Sequence, residues 1–135
     1  MWMLVAAALV AGTVASFTDW LFMGVLFHAA YNTYPEVWRP GIRDGKERGA
    51  VIWATVIGYV MSGAIVALCA VAGVTSVVCG LAIAALAWLA GPFVILVING
   101  FFIKIDPKIT IAHCLGWLVR MALAGGAAGY VLSLS

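Results

Sequence analysis

Charged residues are scarce in this chain. Lysine and arginine number 7, aspartate and glutamate number 5, and together they make up 9% of the 135 residues. A soluble domain is typically about 25% charged and about 45–50% apolar, whereas 66% of this chain is apolar. A water-soluble fold of this length cannot bury so much apolar surface, so the composition indicates a membrane protein. The length allows a single domain, residues 1–135.

The chain also lacks the patterns of several functional classes. The net charge of +2 is too small to suggest nucleic-acid binding. Cys69, Cys79 and Cys114 lie too far apart in the sequence for a zinc site, so no metal site is predicted. No nucleophile and base stand at a spacing typical of covalent catalysis, which favours a non-enzymatic protein. The composition leaves the ligand and any cofactor open.

Four apolar segments reach the roughly 20 residues that a helix needs to cross a bilayer. They are predicted at about residues 2–30, 50–72, 76–100 and 109–132. The fold class is therefore all-α, a polytopic bundle of four transmembrane helices. Asp106 followed by Pro107 predicts the N-cap and first residue of the fourth helix. Pro92 lies inside the third segment and predicts a kink there.

The basic residues predict the orientation of the bundle. Cytoplasmic loops carry an excess of lysine and arginine, and here both the first and the third loop are basic. With four spans these loops share one side, so the sequence predicts cytoplasmic loops and outer termini. The loop residues are Arg39, Arg43, Lys46, Arg48, Lys104 and Lys108. The seventh basic residue, Arg120, lies within the fourth segment.

Asp19 and Arg120 are the two charged residues that fall deep inside the predicted spans. Each lies about 11 residues from the cytoplasmic end of its segment, or about 16 Å at the rise of an α-helix. An unpaired charge at this depth costs about 2.5–3.5 kcal/mol on insertion scales. We therefore predict an ion pair between the first and fourth helices, with the Ser16 hydroxyl one turn from Asp19. The pair is either a polar clasp that specifies helix pairing or a site for a proton, an ion or an anionic ligand.

His28 and His113 form a second candidate site. Both lie about one turn from the cytoplasmic ends of their helices, and His113 shares a helix face with Trp117 and Arg120. With Tyr31 nearby, they could ligate a haem, bind a quinone or hold a metal; alternatively, each is an interfacial histidine bonded to backbone or headgroup. Nine α-helical steps turn Asp19 and His28 to roughly opposite faces, which predicts two separate sites.

Cys69 and Cys79 stand symmetrically about Val74, at the centre of the predicted outer turn. An oxidising exterior permits a disulfide across such a hairpin, provided that both residues face inward. Otherwise both are small packing residues.

The two ends of the chain resemble a family of small bacterial inner-membrane proteins known only as a domain of unknown function. The stretch DWLFMGVLFHAAYNTYPEVW carries Trp20, Leu26, Phe27 and Trp38 of that family's opening pattern, with its glycine displaced. Leu21-Phe22-Met23 stand where the family has Tyr-Gly-Pro. The segment KIDPKITIAHCLGWLVRMALAGGAAGYVL is similar to the family's closing span. The resemblance implies four helices and the bacterial inner membrane, and it assigns no catalytic residue.

Three functional hypotheses follow from the sequence. The first is a non-enzymatic membrane protein that acts by association in the lipid bilayer, as an accessory subunit or assembly factor of a larger complex or as a homo-oligomer. The second is a small dimeric transporter or channel that uses Asp19 and Arg120, similar in architecture to small multidrug transporters but without their glutamate-centred motif. The third is a membrane redox protein that binds haem or quinone at His28 and His113.

Overall fold

The computed structural model describes residues 1–134, all of whose regular structure is helical. No strand occurs in that range, and the predicted all-α class is confirmed. The helices, in chain order, are Trp2–Asp19 (α), Trp20–Leu26 (π), His28–Asn32 and Pro35–Val37 (both 3₁₀), Pro40–Arg43 (α), Arg48–Val71 (α), Val77–Trp88 (α), Leu89–Phe93 (π), Val94–Phe102 (α) and Pro107–Leu132 (α).

These helices assemble into four elements long and apolar enough to cross a bilayer, so the chain is a membrane protein. We name them span 1 (Trp2–Leu26), span 2 (Arg48–Val71), span 3 (Val77–Phe102) and span 4 (Pro107–Leu132). The predicted end of the first segment near residue 30 is wrong, because helical bonding changes at Phe27 and a 3₁₀ turn begins at His28. The bounds of spans 2, 3 and 4 lie within two residues of the predicted ones.

Local signals in the sequence explain where span 4 begins and where span 3 changes its winding. The carboxylate of Asp106 accepts a hydrogen bond of 2.8 Å from the backbone N–H of Lys108, and Pro107 occupies the first turn, as predicted. Pro92 lies in the π-helical turn Leu89–Phe93 of span 3. A proline lacks the N–H that an α-helix needs, and the wider turn reorganises the bonding around it.

Span 4 is the centre of the bundle. It packs against each of the other three spans. Of its most apolar stretch of 18 residues, 39% is buried within the bundle, against 6% for the corresponding stretch of span 3. Its closest approach is to the first half of span 3, where Gly80 and Gly125 face each other backbone to backbone. Small residues allow such contact between membrane helices. The apolar core around this seam is formed by Ala11, Ile65, Val66, Cys69, Val74, Ala84, Met121, Ala124 and Ala128.

The loops gather at one end of the bundle, which we call the basic end: residues 27–47 between spans 1 and 2, and residues 103–106 between spans 3 and 4. Lys104 forms an ion pair of 2.9 Å with Glu36 and lies 4.5 Å above the Tyr34 ring. The Thr33 hydroxyl donates a hydrogen bond of 2.9 Å to Asp106. These contacts join the two loops across the end of the bundle.

The ion pair at the basic end lowers the pKa of Glu36, chiefly because Lys104 donates a hydrogen bond to it, and raises the pKa of Lys104 for the reciprocal reason. Both side chains are more than half exposed. Exposed pairs of this kind contribute little to stability, so the pair positions the loops more than it stabilises the fold.

Candidate functional site

Asp19 of span 1 and Arg120 of span 4 meet inside the bundle. Arg120 donates from Nε to Asp19 Oδ2 over 3.1 Å and from Nη2 to the same oxygen. The arginine side chain is 4% exposed and the aspartate side chain 26%. The structure thus brings together the two charges that the sequence predicts to pair, and it leaves the carboxylate as the accessible partner.

Glycines make room for the buried pair. A Cβ atom at Gly58 of span 2 would lie 2.6 Å from Arg120 Cζ, so the guanidinium packs directly on the backbone of that helix. A Cβ atom at Gly116 of span 4 would lie 3.3 Å from Asp19 Oδ1. Among the described residues, none bonds to the buried Arg120 Nη1 atom. Such an atom carries a desolvation cost, which marks this position as a functional candidate.

Span 1 changes from α-helix to π-helix directly after Asp19. A π-helix bonds from residue i to residue i+5 and therefore turns less per residue than an α-helix. The α-helical count that separates Asp19 from His28 consequently fails, and both residues line the same cavity. The prediction that these two residues belong to separate sites is wrong for this reason.

The cavity lies between spans 1 and 2 toward the basic end. Farther from that end the two helices touch, where a Cβ atom at Gly12 would lie 2.9 Å from the Tyr59 ring. The π-helical part of span 1 packs on span 4 instead, and the space that opens beside span 2 has a volume of about 810 Å³. This volume is in the range of small-molecule sites. Its lining includes Ser16, Asp19, Trp20, Met23, His28, Tyr31, Trp38, Glu47, Ala54, Thr55 and Arg120.

Ser16 and Trp117 have smaller parts than the sequence predicts. The Ser16 hydroxyl lines the cavity but donates back to the carbonyl of Gly12 over 2.8 Å, so it does not complete the ion pair. Trp117 is half-buried on span 4 and is not among the residues that line the cavity. Trp20 of span 1, Trp38 of the first loop and Thr55 of span 2 line it instead.

Tyr31 lies between the two histidines at the basic end. Its hydroxyl shares a hydrogen bond of 2.9 Å with His113 Nε2, and its ring centroid is 6.5 Å from that of His28. The indole N–H of Trp38 donates to the Tyr31 carbonyl over 2.8 Å. His113 Nε2 is therefore already bonded, and His28 is exposed. No group of three potential metal ligands occurs within residues 1–134.

Burial raises the pKa of Tyr31 to about 12, from 10.0. Between these two values the unfolded chain loses the Tyr31 proton while the folded chain keeps it. The contribution of Tyr31 to the free energy of unfolding is therefore fully present below pH 10 and decreases as the pH rises toward 12. We expect the difference in tyrosinate absorbance between the wild type and Tyr31→Phe to titrate near pH 12. A difference that titrates near pH 10 would contradict the burial of this phenol.

The disulfide that the sequence permits between Cys69 and Cys79 is not formed. Cys69 and Cys79 are both free thiols; Cys69 is buried in the core and Cys79 is exposed. A bridge needs both side chains to face inward, and the exposed position of Cys79 does not meet that condition.

The chain matches no protein-family model, and no curated protein and no solved structure is significantly similar to it. The resemblance of the two ends of the chain to a small inner-membrane family therefore stays a prediction. The features that bear on function are the cavity and the charged pair that lines it.

Proposed function

We propose that the protein is a small non-enzymatic transporter of the membrane that binds an amphipathic small molecule between spans 1 and 2. The observation that carries this proposal is that the cavity reaches the buried pair of Asp19 and Arg120. Ionisable residues at such positions commonly mark substrate or ion pathways. Of the two roles open for the pair, the cavity favours a ligand site over a clasp alone.

The depth of the pair supports a site within the hydrocarbon region. Arg120 lies 13 residues beyond Pro107, a rise of about 20 Å along span 4, in a core that is about 30 Å thick. Span 1 changes from α-helical to π-helical bonding directly after Asp19. π-Helical turns within α-helices are frequent at functional sites.

We further propose that the protein resides in the bacterial inner membrane, with the basic end in the cytoplasm and both termini outside. The distribution of lysine and arginine supports this orientation, because six of the seven basic residues lie in or next to the loops of that end. The cavity then opens toward the cytoplasm.

Filling the cavity tests the proposed function. Three probes of one shape are used on the purified protein: tetraphenylphosphonium, tetraphenylborate and the neutral tetraphenylsilane. We expect at least one to bind saturably to the wild type. Ala54 lines the cavity, so Ala54→Trp should abolish that binding by occupying the space. Ala64 lies on the same helix, is exposed and does not line the cavity, so Ala64→Trp should bind as the wild type does.

Proteoliposomes test the transport step. The wild type should speed equilibration of the bound probe over protein-free vesicles and over Ala54→Trp vesicles. Saturable binding that survives in Ala54→Trp would place the site elsewhere, and failure of all three probes to bind would overturn the proposed function. Binding without faster equilibration would mean that the protein binds the probe but does not transport it.

Association with another membrane protein, as an accessory subunit or assembly factor, is the second candidate. Span 3 supports this second candidate, because only 6% of its most apolar stretch of 18 residues is buried within the chain. Its exposed side chains include Val78, Leu86, Ile95, Phe101 and Phe102. A partner helix or a second copy of the chain would cover this face, whereas lipid covers it in a monomer.

Native mass spectrometry of the gently purified protein separates these cases. A stoichiometric partner chain, or a second copy, that is lost on Leu86→Asn would support association through span 3. A monomer that carries lipid alone would contradict it. Leu21→Asn, an exposed leucine on span 1, is the matched control.

A further inference from the structure

We propose that the molecule bound in the cavity is an organic cation with an aromatic or apolar body, and that the Asp19 carboxylate is its counter-ion. This inference rests on the proposed function and names the chemical class of the ligand. It depends on which of the lining charges a ligand can reach, on the aromatic side chains around them and on the size of the space.

The reachable charge in the cavity is negative. Among the side chains that the structure describes, its lining contains the carboxylates of Asp19 and Glu47 and one permanent cation, Arg120. The guanidinium is 4% exposed and its Nη1 atom is packed on Gly58, whereas a quarter of the Asp19 side chain is exposed. A ligand that enters from the basic end therefore meets carboxylate before guanidinium.

The hydrogen bonding of the pair leaves an acceptor available. Both bonds from Arg120 end on Oδ2 of Asp19. Among the described residues, none donates a hydrogen bond to the second oxygen, Oδ1. Arg120 thus occupies one of the two carboxylate oxygens of Asp19, and the other remains for a cationic group.

Aromatic rings complete the environment. Trp20, Tyr31 and Trp38 all line the cavity, and Tyr31 and Trp38 lie with their ring centroids 5.3 Å apart. Aromatic faces attract cations within about 6 Å, and they also accept the apolar body of a ligand. The volume of about 810 Å³ is large enough for a multi-ring molecule.

The basic loop does not reverse this preference. Arg39, Lys46 and Arg48 are exposed and are not among the lining residues. Charges exposed to water are screened within about 8–10 Å at ordinary salt, whereas Asp19 acts inside the bundle at short range. An anionic ligand is the competing class, and the experiment includes it.

Matched probes of opposite charge test the inference. Tetraphenylphosphonium and tetraphenylborate have nearly the same shape and differ in the sign of their charge. We expect the cation to bind to the purified protein about tenfold or more tightly than either the anion or neutral tetraphenylsilane. Binding is measured in detergent at fixed ionic strength, so that the different partitioning of the ions into lipid does not enter.

Two variants connect the preference to the carboxylates. The double variant Asp19→Asn/Arg120→Gln removes both buried charges and leaves neither unpaired, and it should lose the preference for the cation. Glu47 lines the cavity at the basic end and is exposed. Glu47→Gln should therefore weaken cation binding by a smaller factor, about two- to fivefold. Asp44→Asn removes an exposed acid of the same loop that does not line the cavity, and it should leave cation binding unchanged.

The outcomes separate the inference from the proposed function. If the neutral probe or the anion binds as tightly as the cation and Ala54→Trp blocks all three, the binding site stands and the cationic class is wrong. If the double variant keeps the full preference for the cation, Asp19 is not the counter-ion. If no probe binds, the inference and the proposed function fail together.

Discussion

Replacing Arg120 with leucine is expected to lower the free energy of unfolding by about 3–5 kcal/mol, the cost of breaking a buried ion pair on one side. The change removes both hydrogen bonds to Asp19 and leaves its carboxylate without a counter-ion inside the bundle. The measurement is thermal or denaturant unfolding in detergent. A loss of this size is a large fraction of the stability of a small domain, so a marked decrease in melting temperature should accompany it.

The double variant Asp19→Leu/Arg120→Leu is the informative comparison for this prediction. With both charges absent, most of the lost stability should return, because buried ion pairs are often no more stable than apolar replacements. Arg39→Leu, at an exposed position, should leave stability unchanged. If the double variant is as unstable as Arg120→Leu, the arginine stabilises the bundle through packing and not through Asp19.

The second large effect is expected at the seam between spans 3 and 4. A Cβ atom at Gly125 would lie 2.7 Å from Ala84 Cβ and 3.1 Å from the carbonyl carbon of Gly80. Because backbone atoms cannot turn aside as a flexible side chain can, Gly125→Ala forces the helices apart. We expect a loss of about 3 kcal/mol, at the upper end of overpacking costs. Unfolding in detergent, followed by circular dichroism, measures this loss.

Gly126 provides the control for the seam. It is the next residue of span 4, and its nearest neighbour for an added Cβ atom is Leu81 Cδ2 at 3.5 Å, an ordinary contact. Gly126→Ala should therefore keep or slightly raise stability, since alanine favours a helix over glycine by about 1 kcal/mol. Equal losses for the two variants would mean that helix separation at Gly80 and Gly125 does not limit stability.

The sequence predicts the charged pair for a reason that can be stated in residues. Asp19 and Arg120 each lie within an apolar segment. Their predicted depths match because the first segment is taken to end near residue 30, whereas span 1 ends at Leu26. Opposite charges inside apolar segments are costly when they are unpaired, whatever their depth within the span. Pairing of the two charges can therefore be predicted before the structure is known.

The direction of a side chain around the helix is a different quantity. Each residue adds an angle, so the angle between Asp19 and His28 is the sum of nine steps. The π-helical segment Trp20–Leu26 changes most of those steps. It contains no proline that would predict the change from the sequence, whereas Pro92 marks the π-helical turn of span 3. The prediction of two separate sites failed here, and with it the predicted end of span 1.

By itself, the sequence determined the solvent of this protein, the number of its spans, the all-α class and the presence of two opposite charges inside the spans. These properties follow from local hydropathy and from counting along a helix. Only the tertiary structure decided that Asp19, His28, Tyr31 and Trp38 share one cavity, that Gly58 lets the guanidinium pack on span 2, and that Cys79 is exposed while Cys69 is buried. Which faces meet depends on winding angles that accumulate along each helix and on close backbone contacts between helices, and neither is encoded in any single short stretch of residues.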